Sequence, residues 1–180
     1  MKECHPETRL VFLVGFMGAG KTSVGRTLSQ RLGWTFEDLD DRIRLREGRT
    51  IEDIFRESGE AEFRRMEHAA LRATLSELGD APRIVGLGGG AFVQSRNAAL
   101  LKETGAPVVF LDAPVEELWR RCQGETQHRP LQKNEQEFRH LYEQRLPHYL
   151  QAETRVDTAG KTVQTVAAEV AERLGLEGRC

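Results

Sequence analysis

The chain has 180 residues, enough for one α/β domain with a proper core. Hydrophobic residues make up 39% and charged residues 30%, which excludes a disordered or fibrous chain, and no apolar run approaches the length of a membrane span. The formal net charge of −2 argues against a general nucleic-acid binder. Three scattered cysteines, Cys4, Cys122 and Cys180, lack metal-ligand spacing and suit a reducing compartment, and residues 1–9 are polar with no signal-peptide core, so a cytoplasmic protein is expected.

Residues 10–14, Leu-Val-Phe-Leu-Val, form a short apolar run of the kind that makes a buried strand. Directly after it comes Gly15-Phe16-Met17-Gly18-Ala19-Gly20-Lys21-Thr22, which fits G-x-x-x-x-G-K-[ST], the phosphate-binding P-loop. Val24, Leu28 and Leu32 then recur at helical spacing, and Gly33 stops that helix. Strand, glycine loop and helix are the context the motif needs. The glycines let backbone N–H groups converge, and the helix N-terminus adds partial positive charge. Lys21 brings a full charge to the outer phosphates, and the Thr22 hydroxyl can reach a magnesium ion. The loop implies a nucleoside triphosphate and leaves the phosphate acceptor open.

Residues 35–40 read as a strand ending in Asp38 and Asp40, on one side of an extended segment. Two carboxylates there suit magnesium or a substrate hydroxyl; alternatively Asp40 or Asp41 caps the helix that follows. Short helical pieces are expected up to Gly48 and from Thr50, with a break at Gly59 and a longer helix over residues 60–78. On that helix Phe63, Met66, Ala70, Leu71, Leu75 and Leu78 make the apolar stripe, Arg64 can meet Glu67 three residues on, and His68 reads as structural. A strand over residues 83–87 ends in Gly88-Gly89-Gly90, either a close approach for a ligand or a flexible turn. A helix over 95–103, a strand over 107–111 and a helix opened by Pro114 follow. Residues 124–130 are polar and turn-rich, as in a mobile functional loop. A helix over 134–146 is expected to end at Pro147, before a last strand at 155–158 and an amphipathic helix over 162–174. Alternating strands and helices predict a parallel sheet covered on both faces, with ligands at the strands' carboxyl ends.

The P-loop at 15–22, Asp38-x-Asp40, Phe63-Arg64-Arg65-x-Glu67, Gly88-Gly89-Gly90, Arg129-Pro130-Leu131 and Arg145-x-Pro147 together resemble shikimate kinase, in order and approximate spacing, over nearly the whole chain. The resemblance implies a single domain over residues 1–180, a three-layer α/β P-loop kinase whose five-stranded parallel sheet runs in the order 2-3-1-4-5. It implies a shikimate-binding region over about 38–67 and a mobile lid over about 124–131. The implied reaction is ATP-dependent phosphorylation of the 3-hydroxyl of shikimate in aromatic amino-acid biosynthesis, with Mg2+ as cofactor and a monomer acting on two small molecules, not on nucleic acid or membrane. By similarity, Gly18, Ala19, Gly20, Lys21, Thr22 and Ser23 hold the ATP phosphates, Thr22 ligates magnesium and Asp38 holds it through water. Asp40 binds the reacting hydroxyl; Arg64, Arg145 and the glycines Gly88, Gly89 and Gly90 bind shikimate, with Glu67 orienting Arg64. Lys21, Asp40 and Arg129, the last from the lid, serve catalysis; Arg121 lies against adenine, with Arg120 as the alternative, and residues 157–161 pass near the base.

Two features depart from the family pattern. Gly86 stands where a hydroxyl residue often precedes the triple glycine, and residues 157–161 lack an arginine seen in some relatives. A related small-molecule kinase, such as a gluconate kinase, and a non-catalytic nucleotide-binding protein of the same fold are the competing readings. The arginine set for a cyclic carboxylate speaks against the first, and the intact Lys21, Thr22, Asp40 and Arg129 speak against the second.

Overall fold

A computed structural model describes residues 8–124 and 134–176. The order along the chain is β1 (Leu10–Val14), α1 (Lys21–Leu32), β2 (Thr35–Asp38), α2 (Leu39–Glu47), α3 (Ile51–Ser76), β3 (Arg83–Gly86), α4 (Ser95–Thr104), β4 (Val108–Asp112), α5 (Val115–Gln123), α6 (Glu135–Tyr149), β5 (Thr154–Asp157) and α7 (Val163–Arg173). The five strands form one parallel sheet in the order β2-β3-β1-β4-β5. This is the three-layer arrangement and strand order that the sequence resemblance implied. Parallel strands need crossover helices, which cover both faces, and so the central strands are apolar throughout. Val11 to Val14 and Val109 to Leu111 are at most 1% exposed. Among the described residues, no helix is long and apolar enough to cross a membrane.

The sheet brings the carboxyl ends of β1, β2, β3 and β4 together. Leu13 pairs with Gly86, Asp38 with Gly86 on its other side, and Val14 with Phe110. The P-loop, the aspartates and the triple glycine therefore leave one edge as neighbours. The ring of Phe36 on β2 lies in a notch between Gly25 of α1 and Gly86 of β3: a Cβ on Gly25 would collide with the ring, and one on Gly86 would come within 3.2 Å of it. Gly86 thus makes room for an aromatic ring at the place where the family pattern often has a hydroxyl residue.

Three local expectations are corrected. β2 ends at Asp38, so Asp38 and Asp40 do not share one side of an extended segment; Asp40 already lies in the first turn of α2. The cap is Asp38 and neither Asp40 nor Asp41: its Oδ1 accepts from the Asp40 and Asp41 backbone N–H groups at 2.9 and 3.4 Å. Pro147 does not end α6, which runs on to Tyr149. A proline so near the C-terminus removes a single backbone donor. Tyr149 anchors the extra turn, fully buried and stacked on Phe110 with ring centroids 5.2 Å apart. The Gly59 break is present as a kink with φ 80° inside α3, and Thr50 caps that helix through the Asp53 N–H at 3.0 Å.

Candidate active site

The P-loop wraps the N-terminus of α1. Gly18 has φ 79°, and a Cβ on it would be 2.7 Å from the Leu118 carbonyl, so the loop needs glycine there to lie against α5. Ala19 is buried, Gly20 is the left-handed residue before α1, and Ser23 is exposed in its first turn. Lys21 Nζ donates back to the carbonyls of Gly15 and Phe16, at 2.8 and 3.1 Å. Thr22 Oγ1 donates to Asp38 Oδ2 at 2.7 Å. One carboxylate therefore caps α2 with one oxygen and meets the P-loop hydroxyl with the other.

Of the two neighbouring arginines, Arg121 is the one turned toward the P-loop. Its guanidinium donates to Gly18 O at 3.2 Å, to Thr158 Oγ1 and O at 3.0 and 2.9 Å, and to Glu117 Oε1 at 2.5 Å. Arg120 points to solvent, 77% exposed, with Glu117 at 3.8 Å. Thr158 is itself held by Asp112 at the end of β4, through N–H and hydroxyl bonds to its carbonyl at 2.7 and 3.0 Å. Asp112 did not stand out in the sequence, because Thr158, the partner of its carbonyl, lies on a distant segment. Arg129 and most of the expected lid fall outside the described residues.

On the other side of Thr22 and Asp38 opens a cavity of about 360 Å³, lined by Asp40, Arg64, Glu67, Arg145 and Gly88, Gly89 and Gly90, with Met17, Phe55 and Phe63 as apolar wall. Arg64 donates to Glu67 Oε2 at 2.9 Å and to Glu60 Oε1 at 3.1 Å, whereas Arg65 is solvated and pairs with Glu62. Arg145 is 6% exposed, and its guanidinium lies 5.7 Å from the Phe16 ring centroid. Burial draws its affinity for the proton below the ordinary arginine value, and Arg64 nearby acts the same way. The Tyr149 hydroxyl, which sequence reasoning missed, donates to Gly89 O and is pushed up to about 12 by burial.

The triple glycine is the floor of this cavity, and close packing decides its composition. A Cβ on Gly88 would lie 2.7 Å from Asp40 Oδ1 and 2.9 Å from Glu67 Oε1, and one on Gly90 would collide with the Arg64 guanidinium. A Cβ on Gly89 would meet Arg145 Nη1 at 3.4 Å. Glu67 is buried among these groups, and burial pushes its carboxyl up to about 7 against the opposing pull of Arg64, with Asp40 raising it further. His68 is structural, as expected: Nδ1 meets Asn97 Oδ1 at 2.6 Å, and Asn97 donates to Ala91 O at 2.9 Å, pinning the turn after the glycines.

Arg64 and Arg145 beside the carboxylates Asp40 and Glu67, in a cavity opening at the phosphate loop, are arranged for an anionic hydroxylated acceptor. Comparison with known proteins agrees. The family model described as shikimate kinase matches residues 17–175. The shikimate kinase of Persephonella marina is 40% identical over 92% of this chain and 99% of its own length, and that of Geobacter metallireducens is 43% identical over 95% and 93%. Among solved structures, shikimate kinase from Acinetobacter baumannii in complex with shikimate superposes with a TM-score of 0.85 at 34% identity, covering 95% of this chain and 96% of that one. Matched by the family model from the P-loop to the last helix, and by relatives along nearly their whole length, this chain belongs to the shikimate kinase family.

Proposed function

We propose that this protein transfers the γ-phosphoryl group of ATP to the 3-hydroxyl of shikimate, giving shikimate 3-phosphate and ADP on the route to chorismate and the aromatic amino acids. The observation that carries the reading is the convergence of Arg64, Arg145 and Asp40 on one cavity that opens beside Thr22 of the P-loop. A planar guanidinium grips a carboxylate through two parallel hydrogen bonds, and two such groups select an acid over a neutral sugar. In this reading Arg64 and Arg145 take the shikimate carboxylate, Gly88, Gly89 and Gly90 let the ring lie against the backbone, and Asp40 aligns the hydroxyl and accepts its proton.

On the nucleotide side, residues 18–23 cradle the phosphates. Lys21 leaves the Gly15 and Phe16 carbonyls for them, and Arg121 flanks the adenine with residues 157–161 near the base. Thr22 Oγ1 and Asp38 Oδ2, 2.7 Å apart, are hard oxygen donors at a helix N-terminus and fit a magnesium ion, with Asp38 reaching it through water. When bound, magnesium supplies positive charge against the phosphate oxygens. Arg129 adds a further cation from the lid over 124–131. Phosphoryl transfer asks for alignment and charge more than covalent help, and these residues provide both.

A coupled ADP-release assay over a panel of small hydroxy acids tests the assignment. Shikimate releases ADP and gluconate does not; equal turnover with both, or none with shikimate, overturns it.

A further inference from the structure

Gln94 occupies the N-cap position of α4, yet its side chain makes no cap hydrogen bond. Instead Nε2 donates to Glu67 Oε2 at 2.6 Å, while Oε1 accepts from Arg96 Nε and Nη2 at 3.2 and 3.0 Å. The two partners fix the orientation of the amide, because ionised Glu67 only accepts and Arg96 only donates. Arg96 Nη2 in turn donates to the backbone carbonyl of Arg64 at 2.8 Å. The contacts close a ring: Arg64 guanidinium to Glu67, Glu67 to Gln94, Gln94 to Arg96, and Arg96 back to the main chain of Arg64. The backbone of Gln94 is held as well, by its N–H to Ala91 O at 3.3 Å and by the Asn97 and Ala98 N–H groups on its carbonyl at 2.9 and 3.0 Å.

We propose that Gln94, backed by Arg96, is a positioning residue for acceptor binding: it holds Glu67 as the anion that aims Arg64 into the cavity. This rests on the reading of Arg64 as a ligand of the shikimate carboxylate. Arg64 has two carboxylates to choose from, Glu67 inside and Glu60 outside, at 2.9 and 3.1 Å, with side chains 1% and 56% exposed. If Glu67 takes up a proton, the outer partner wins, and the guanidinium is drawn from the cavity toward solvent. Glu67 is poised for that, because burial carries its carboxyl up to about 7. The charged and titratable groups facing it are Arg64 from α3, Asp40 from α2, and Arg145 and Tyr149 from α6. Gln94 faces it from α4 with an N–H, and a donor of that kind favours the ionised form.

The test compares Gln94→Leu, Arg96→Met and Arg64→Lys with the parent enzyme, in steady-state kinetics from pH 6 to pH 9. Gln94→Leu raises the KM for shikimate about tenfold near pH 7, the scale of one hydrogen bond to a charged group, while kcat and the KM for ATP stay within about twofold. The acid limb of kcat/KM for shikimate moves to higher pH by about 0.5 or more, and the KM defect shrinks as the pH rises. Arg96 is exposed, so Arg96→Met tests the same ring without disturbing the core; it changes the shikimate KM in the same direction by about threefold. An unchanged shikimate KM in both variants overturns the proposal, as does a loss shared equally by kcat and both KM values, which is the mark of a merely structural residue. Arg64→Lys separates the two levels. If it raises the shikimate KM and Gln94→Leu does not, Gln94 alone is misassigned; if Arg64→Lys has no effect on it either, the carboxylate clamp itself fails.

Discussion

Arg145 and Lys21 stand at opposite ends of the site and are held in opposite ways. Arg145 is buried between Phe16, Tyr149 and the glycine turn, and its guanidinium already faces the cavity. Lys21 is folded back onto the carbonyls of its own loop, and Arg121 lies at the surface of that loop, on the carbonyls of Gly18 and Thr158 and the carboxylate of Glu117. The proposed shikimate side is thus assembled before any ligand arrives, with buried charges locked by neighbours. The proposed nucleotide side rests Lys21 on backbone carbonyls that an incoming phosphate, with full negative charge, can outcompete. Rigid charge gives selectivity for a small acid, because a wrong ligand leaves buried arginines unsatisfied. Exchangeable charge suits a nucleotide, which must bind and leave in every turnover.

Breaking the prebuilt side at Asp40, the proposed reactive carboxylate, has the largest effect. Asp40→Asn lowers kcat on the order of 100- to 10,000-fold while ATP still binds, as steady-state kinetics and nucleotide titration together show. Near-normal turnover of the folded variant removes Asp40 from the chemistry.

Glu67 is next. Its carboxyl is raised from 4.5 to about 7, so between those values the folded chain holds a proton that the unfolded chain has released. Its contribution to stability is complete below pH 4.5 and is lost as the pH rises through about 7. Urea unfolding across this range shows the parent losing up to about 3 kcal/mol relative to Glu67→Gln, because each tenfold gain in proton affinity on folding is worth about 1.4 kcal/mol. Parallel profiles for the two proteins count against the buried carboxyl.

Arg145→Lys keeps the charge and loses the fork, so shikimate affinity falls about 10- to 100-fold while ATP affinity holds, measurable by titration calorimetry. On the exchangeable side the expected loss is smallest. Arg121→Ala raises the KM for ATP about threefold to tenfold and leaves the KM for shikimate in place. A larger loss there than in Arg145→Lys would invert the contrast between the two sides.

The sequence was most legible where structure is local. The P-loop, its strand and its helix follow from a short run of neighbouring positions, and the Gly59 kink and the Thr50 cap from single residue types. Asp38 was misread because alternation along a strand and capping of a helix are both plausible for two aspartates one residue apart; only the end of β2 at Asp38 separates them. The arginines of the cavity were legible through the family resemblance and not through their own surroundings, since most arginines are solvated. Arg145 escapes that rule because of Phe16, far earlier in the chain, and no pattern around position 145 announces the contact. Gln94 and Tyr149 were missed for the same reason: their partners are Glu67 and Gly89, on other elements.

The notch that holds Phe36 restricts the order in which this sequence can change. A Cβ at position 25 would collide with the ring, so that glycine cannot acquire a side chain while the phenylalanine stands, whereas one at position 86, at 3.2 Å, asks the ring to give by a few tenths of an ångström. Position 36 must shrink before position 25 can grow. Once it has, alanine at 25 becomes sterically open, and a serine or threonine at 86, paired with Asp38 in the sheet, no longer presses on the ring. A lineage that keeps Phe36 is therefore committed to Gly25, and in any set of descendants positions 25 and 36 should drift together, with position 86 tied to them more loosely.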